Sequence, residues 1–426
     1  MSIPTTVQLV AQSRFINGDI DLLSLYKRDD FIWLKDGVGF IAIGSAIEVD
    51  ADQVAETLAA IEVDDQVMLP GSGAIAVGAL PFAASETARL TIPQQVIGHS
   101  ADGKYWMTEI RSSRDNQDTQ DTQDTQDTQD TQDTQDNQIS TTPQSQIAHS
   151  KQVSENAHES PLVRTGGTSR SEWSAGVSAV LAAIDKGEVE KVVLARDLVL
   201  RAQSPIELRS VLYALTQQQQ ESFVYAHRGL VGASPELLIR RNANLATSTP
   251  MAGTAAGTDA EAIASLANSP KDAREHELVV EAVVGALSPY TVSVARVRGP
   301  EILVLPGVVH LATTIEVDLL SDAPGALELA RILHPTPAVG GWPVNESRQL
   351  IAANEKVARG RYAGPVGWVD HLGNGEFAIA LRSAEINGEI ARCFAGAGIV
   401  AGSDPDAEWE ETERKLAPML DALGAG

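Results

Sequence analysis

The densest group of chemically capable residues lies near the end of the chain, in FAGAGIVAGSDPDAEWEETERK (394–415). At roughly 100° per residue, Glu408, Glu411 and Lys415 share a helical stripe about 60° wide. Asp406, Glu410, Glu413 and Arg414 fall on a separate arc, and Trp409, Leu416 and Leu420 on a third. Such a stripe is either a solvated face braced by i,i+4 pairs or a place to hold a cation. In NSPKDAREHELVVEAVVGAL (268–287) the polar arc is Arg274, Glu277 and Glu281, and Glu275 projects roughly 100° from it, among Val279, Ala282 and Ala286. An acid on an apolar face is costly unless an arginine, a cap or a metal satisfies it. His276, near Val283, reads as a hydrogen-bonded core histidine. No cysteine or histidine cluster accompanies these acids, and an all-oxygen set suits a hard cation, with Mg²⁺ completing its octahedron with waters. Gly396, Gly398, Arg382, Tyr362 and Lys415 add amides and donors for an anion. Metal and anion donors together point to a small carboxylated substrate.

The elements that must position these residues are marked in the sequence. Asp404 can cap a helix with Pro405 at its first position, and Ser269 with Pro270 marks a second start, with Asp272 able to reach back. VEKVVLARDLVL reads as a strand with Lys191 on the face of Val193 and Ala195, although a lysine at a strand start ordinarily faces solvent. SFVYAHRG and LVGASPELLIR read as a hairpin, in which Glu236 interrupts the apolar run after Pro235 and is otherwise a strand-edge acid. EWSAGVSAVLAAIDKGE and IELRSVLYALTQQQ have helical character, and RYAGPVGWVD and EFAIALRSAEI read as strands. Arg382 alternates out of the last of these, where an arginine prefers a carboxylate partner. The proline and glycine density of 335–343 indicates an ordered, rigid loop. Residues 1–114 show strand-like runs at 31–34, 38–44 and 74–80 and one helix-like segment at 51–63, without a chemical constellation.

Composition sets the outer bounds. The net charge is −25 over 426 residues, and removing the eight aspartates of one tract (115–136) leaves −17. That surplus argues against nucleic acid or an anionic membrane as partner. Cys393 is the only cysteine, which rules out an intrachain disulfide or thiolate cluster. The start lacks a secretory pattern and no long apolar run is present, so a soluble, cytoplasmic protein is expected. DNQ, six DTQ units and DNQ (115–138), with polar sequence to about 160, cannot bury enough apolar surface to offset chain entropy and read as a disordered insertion. No GxxxxGK[ST] or dinucleotide fingerprint occurs.

The ordered set EKVVLAR (190–196), GASPELL (232–238), PMAGT (250–254), KDAREH (271–276), HPTPAVGG (334–341), YAG (362–364), ALRSAEI (380–386) and AGAGIVAGSDPDAEWEETERK (395–415) resembles the chorismate-utilising enzymes, and within them the isochorismate synthases. The match covers about 165–420. It implies an α/β (α+β) chorismate-binding fold, a single large domain of paired β-sheets with peripheral helices, onto which residues 1–114 pack. By this resemblance Glu275 and Glu411 are Mg²⁺ ligands, with Glu408 and Asp272 beside them. Tyr362, Arg382, Lys415 and the amides of Gly396, Ala397 and Gly398 hold substrate carboxylates, and Gly253, Thr254, His334 and Ala338 complete the substrate contacts. Lys191 matches the base that takes a proton from water attacking C2, and Glu236 the acid that protonates the departing C4 hydroxyl. That pair requires a neutral lysine and a protonated glutamate, hence a desolvated pocket.

Lysine at 191, where ammonia-using members tend to carry glutamine or another non-basic residue, implies water as nucleophile and no glutamine amidotransferase partner. Ala338, where lyase and amination members often have threonine, implies that reaction stops at isochorismate rather than continuing to salicylate and pyruvate. AAGT after PMAGT, without the arginine common in amination members, points the same way. A monomer is expected. A chorismate-binding paralogue without turnover, or a simple acidic metal-binding protein, is the contrasting class.

Overall fold

The structure is a computed structural model and describes residues 8–112 and 162–425; the DTQ tract lies outside them. β-Branched and alternating apolar runs form strands throughout. Among the described residues these assemble into two largely antiparallel sheets, of thirteen and ten strands. The first runs from Val163–Gly167 through Lys191–Arg201, Ile390–Ile399, Ser383–Asn387, Leu230–Ser234 and Phe223–His227. It then continues without a break into the N-terminal strands Phe31–Lys35 and Val38–Ile43. The second carries Met251–Ala256, Val308–Asp318, Leu245–Thr249, Leu237–Asn242, Gly375–Ile379 and Pro365–Asp370, followed by Ile75–Ala79. The N-terminal segment is therefore hydrogen-bonded into both sheets.

The chain crosses between the sheets twice where it matters for chemistry. LVGASPELLIR, read as one strand of a hairpin, is two strands: Leu230–Ser234 pairs with Phe223–His227 as expected, but Leu237–Asn242 belongs to the other sheet. Pro235 has no N–H to donate to a ladder, and the break falls on it and Glu236. EFAIALRSAEI is likewise split into Gly375–Ile379 in one sheet and Ser383–Asn387 in the other. Arg382 sits in the second crossover with φ +49, a left-handed conformation that a non-glycine residue adopts rarely. The two crossovers lie together: Gly232 pairs with Ser383, Leu237 with Ala378, and the Ile379 N–H donates to the Glu236 carbonyl at 3.2 Å.

Both marked helices form. Pro270–Leu287 is capped by Ser269, whose Oγ accepts from the Asp272 N–H, and lies against Met251–Ala256. Pro405–Ala422 is capped by Asp404, which accepts from the N–H groups of Asp406 and Ala407, and lies on Ile390–Ile399. Its apolar arc buries Leu416 and Met419, each at 1% exposure, worth about 1.5–3 kcal/mol per side chain. Arg196 fastens the same helix to Lys191–Arg201, stacking 3.7 Å over the Trp409 ring and donating to Thr412 and Glu413. The helix expected over 51–63 stops early. After a 3₁₀ turn, Val54–Ala59 is helical, but Glu62–Asp65 is drawn into a parallel pairing with Leu9–Ile16. So short a helix has little stability of its own against a sheet edge.

Candidate active site

The two crossovers, the two helices and the 334–343 loop enclose a cavity of about 190 Å³. Strand period 2 aims Gly396 and Gly398 into it and turns Ala397 to the core, where it is fully buried. A Cβ at 398 would come within 3.0 Å of both Glu275 Oε1 and Lys191 Cε, so glycine lets the acid and the lysine meet over the strand. Lys191 Nζ donates to Glu275 Oε1 at 2.7 Å, and Lys191 is 1% exposed. The next position on that face of the strand repeats the motif: Lys415 Nζ donates to Glu411 Oε1 at 2.6 Å and to the Gly396 carbonyl at 3.0 Å. A Cβ at 396 would lie 3.4 Å from the Tyr362 hydroxyl, which places that phenol beside the same strand. Tyr362 stacks on Phe394 with ring centroids 5.2 Å apart. Gly253, at φ +77, lets its strand approach Asp272, whose Cβ would be 3.0 Å from an added Cβ.

The site residues read from the sequence are thus largely brought together. Glu236, Gly253, Thr254, Glu275, Ala338, Tyr362, Arg382, Gly396, Gly398, Glu408, Glu411 and Lys415 line the one cavity, as does Asp272. Lys191 reaches it through Glu275. Three residues do not belong to the lining, Lys191 among them. Ala397 faces away, as the strand period requires, and His334 is held elsewhere, its Nε2 within 3.0 Å of the Phe82 carbonyl and its ring edge-on to Phe82. The proposed substrate contact at His334 is therefore corrected to a packing role for the loop. His276 is the core histidine expected, with Nε2 2.6 Å from Thr313 Oγ1.

Electrostatics divides the lining. Burial pushes the Glu236 carboxyl up to about 8, against the smaller opposing effects of the Met251 N–H and of the Lys191, Arg382 and Lys415 charges. Its carboxyl is therefore held mainly in the protonated form at neutral pH. For Glu275 burial also acts upward, but the charge and hydrogen bond of Lys191 outweigh it and hold the carboxylate below its usual range. Lys191 is thus engaged with Glu275 in this arrangement rather than standing alone. Burial, then the neighbouring Glu411 charge, raises Glu408. Arg382 meets no carboxylate within 4 Å among the described residues; its only side-chain neighbour in hydrogen-bond range is His310 Nε2 at 3.4 Å. A cation so placed calls for an anionic ligand.

Among the described residues no three acid or histidine side chains converge into a ready cage. Glu275 and Glu411 are each turned to a lysine, and Glu408 stands 3.8 Å from Lys271. The donor chemistry nonetheless fits a hard divalent ion. Four carboxylates from two helices face one cavity, and the mutual repulsion of Glu408 and Glu411 is what a cation would relieve.

His310 and Arg359 are among the lining residues that escaped the sequence reading. His310, in the strand VVHLATTIEVD, has Nδ1 2.9 Å from Thr254 Oγ1; burial, then Arg382 and Lys415, lowers it to about 3. Arg382 can only donate, so Nε2 is the acceptor and Nδ1 carries the proton. A histidine alternating among apolar residues was the available signal. Arg359 is buried against Glu355 and donates to the carbonyls of Val339 at 2.7 Å and Val193 at 2.8 Å. It ties the loop bearing Ala338 to the strand bearing Lys191, and the Glu355–Arg359 spacing of four residues was its trace.

The chain is similar to several known proteins. The isochorismate synthase MenF of Bacillus subtilis is 39% identical over 264 residues, covering 60% of this chain and 56% of the relative. The isochorismate synthase EntC of Escherichia coli is 39% identical over 247 residues, 56% of this chain and 63% of the relative. The chain thus aligns with little more than half the length of these relatives. The solved menaquinone-specific isochorismate synthase of E. coli superposes with a TM-score of 0.80 at 26% identity, over 99% of this chain and 96% of the other. A family described as chorismate binding enzyme matches residues 41–424, nearly all of what is described here, and the chain belongs to that family.

Proposed function

We propose that the protein is an isochorismate synthase, an isomerase that converts chorismate to isochorismate with Mg²⁺. The observation that carries this reading is a buried carboxyl, Glu236, raised by burial to about 8, lining one cavity with Glu275, which holds Lys191, and with Arg382, which pairs with no acid among the described residues. Its relatives are named for isochorismate synthesis in menaquinone, 2,3-dihydroxybenzoate and vibriobactin pathways, so the product is one that either a quinone or a siderophore route consumes.

Arg382 and Tyr362 hold the side-chain carboxylate of chorismate, the guanidinium as a fork and the phenol as a neutral donor, its pKa pushed up to about 12 by burial. Gly396 and Gly398 allow the ring to lie close to the strand. In its neutral form Lys191 accepts a proton from the water whose oxygen bonds to C2. The ring double bonds shift, the C4–O bond breaks, and Glu236 gives its proton to that oxygen, so one water is consumed and one released. Glu275, Glu411 and Glu408 would hold Mg²⁺, which when bound neutralises the acids and the ring carboxylate they would otherwise repel. Glu275 is thus shared between Lys191 and the metal. Ala338 lines the cavity without a hydroxyl, in keeping with a reaction that stops before pyruvate is lost.

The test is Lys191→Ala with chorismate and Mg²⁺. Turnover should vanish while Mg²⁺-dependent chorismate binding, read by calorimetry, persists. Lost binding with normal residual turnover would remove the base from Lys191, and salicylate plus pyruvate from the unaltered protein would replace the proposed product.

A further inference from the structure

A second, much smaller crevice, of about 10 Å³, shares two walls with the active-site cavity: Pro235, immediately before Glu236, and Arg382. Its size corresponds to a single water, for which roughly 10–15 Å³ is needed. Its remaining polar lining is Gln219, Ser222 and Arg414. Gln219 and Ser222 are 7% and 2% exposed, yet their side chains bond to no other described residue. They are fixed by the turn that ends Leu208–Gln218, where the Gln219 N–H donates to the Leu215 carbonyl and the Ser222 N–H to the Gln219 carbonyl, both at 2.9 Å. On the facing helix Pro418 has no N–H to donate to the Arg414 carbonyl, its partner four residues back. Polar side chains that face such a crevice without a protein partner are ordinarily satisfied by water.

We infer that this crevice is a water port for the active site, with Gln219, Ser222 and Arg414 holding one water beside the Pro235–Glu236 step. The inference rests on the isochorismate synthase reading, under which every turnover liberates a water from the C4 oxygen and the Glu236 proton. With substrate filling the larger cavity, the crevice lies on the Glu236 side and gives that water an outlet past Arg382.

Ser222→Leu fills the crevice while leaving every residue assigned to chemistry or substrate in place; because Arg382 forms one wall, chorismate Kd is measured alongside. Chorismate is turned over in H₂¹⁸O and, at early conversion, the ¹⁸O at C4 of recovered chorismate is measured relative to isochorismate formed. In the unaltered protein the liberated water exchanges before the reaction reverses, and recovered chorismate gains label. With the port filled, trapped unlabelled water returns to C4. The label ratio and kcat should both fall severalfold, at unchanged chorismate Kd. If Ser222→Leu melts early, Val308→Ile narrows the same crevice from the opposite wall. A folded plugged variant with the ratio and kcat of the unaltered protein would overturn the port while leaving the function standing. Absence of isochorismate from the unaltered protein would overturn both.

Discussion

Replacing Glu236 by glutamine tests the environment of the proposed acid without reference to turnover. The side chain is 4% exposed, and burial is the largest influence on it, raising its pKa from 4.5 to about 8. An acid raised on folding binds its proton more tightly in the native state than in the unfolded one, so stability falls as pH rises between those two values. Below pH 4.5 the carboxyl is protonated in both states and the penalty is absent. Above about 8 it is complete, and at 1.36 kcal/mol per pH unit it comes to about 5 kcal/mol, an order-of-magnitude figure. Glutamine has the same shape, does not ionise, and keeps an acceptor for the long 3.5 Å contact from the Met251 N–H. Urea midpoints of the metal-free protein at pH 4, 6 and 8.5 should show Glu236→Gln near parity at the lowest pH. The variant should then become progressively more stable than the parent as pH rises. A difference that does not change with pH means that Glu236 ionises normally and the desolvation argument fails. The same property sets the rate: kcat/KM should decline as pH rises through about 8, because only the protonated form can donate to the departing oxygen.

Two other substitutions separate scaffold from chemistry. Glu355→Gln leaves the buried Arg359 without its counter-charge and should cost about 3–5 kcal/mol of stability, read as a lowered melting temperature; an unchanged melting point would show that the carbonyls of Val193 and Val339 suffice. Gly398→Ala places a methyl 3.0 Å from Glu275 Oε1 and Lys191 Cε. It should depress kcat by at least tenfold with little change in melting temperature, and full activity would show that Lys191 and Glu275 need not meet over this strand.

Much of the site was legible because helix periodicity is a local property. Glu408, Glu411 and Lys415 do share the cavity, Glu275 does leave the polar face of its helix, and both caps form as Asp404 and Ser269 indicate. What local pattern does not carry is the path of a strand after a break. Pro235 and Arg382 each mark a change of sheet, and the two crossovers meet only because Gly232 pairs with Ser383 and Leu237 with Ala378. That long-range pairing is what buries Glu236 and sets its charge state. The partner of Lys191 was likewise out of reach, since Glu275 lies 84 residues away and the glycine between them, Gly398, belongs to a third segment. His334 was assigned by motif neighbourhood, whereas its ring turns to Phe82, a residue of the N-terminal segment that carries no motif.

Mass spectrometry of isochorismate formed in H₂¹⁸O addresses the division of labour between Lys191 and Glu236 most directly. One ¹⁸O, located at C2, is expected, since the entering oxygen comes from solvent on the lysine side and the original C4 oxygen departs on the glutamate side. Isochorismate that keeps its original oxygen, with no label at C2, would mean that the hydroxyl migrates within the molecule, and a separate base and acid would then have no role.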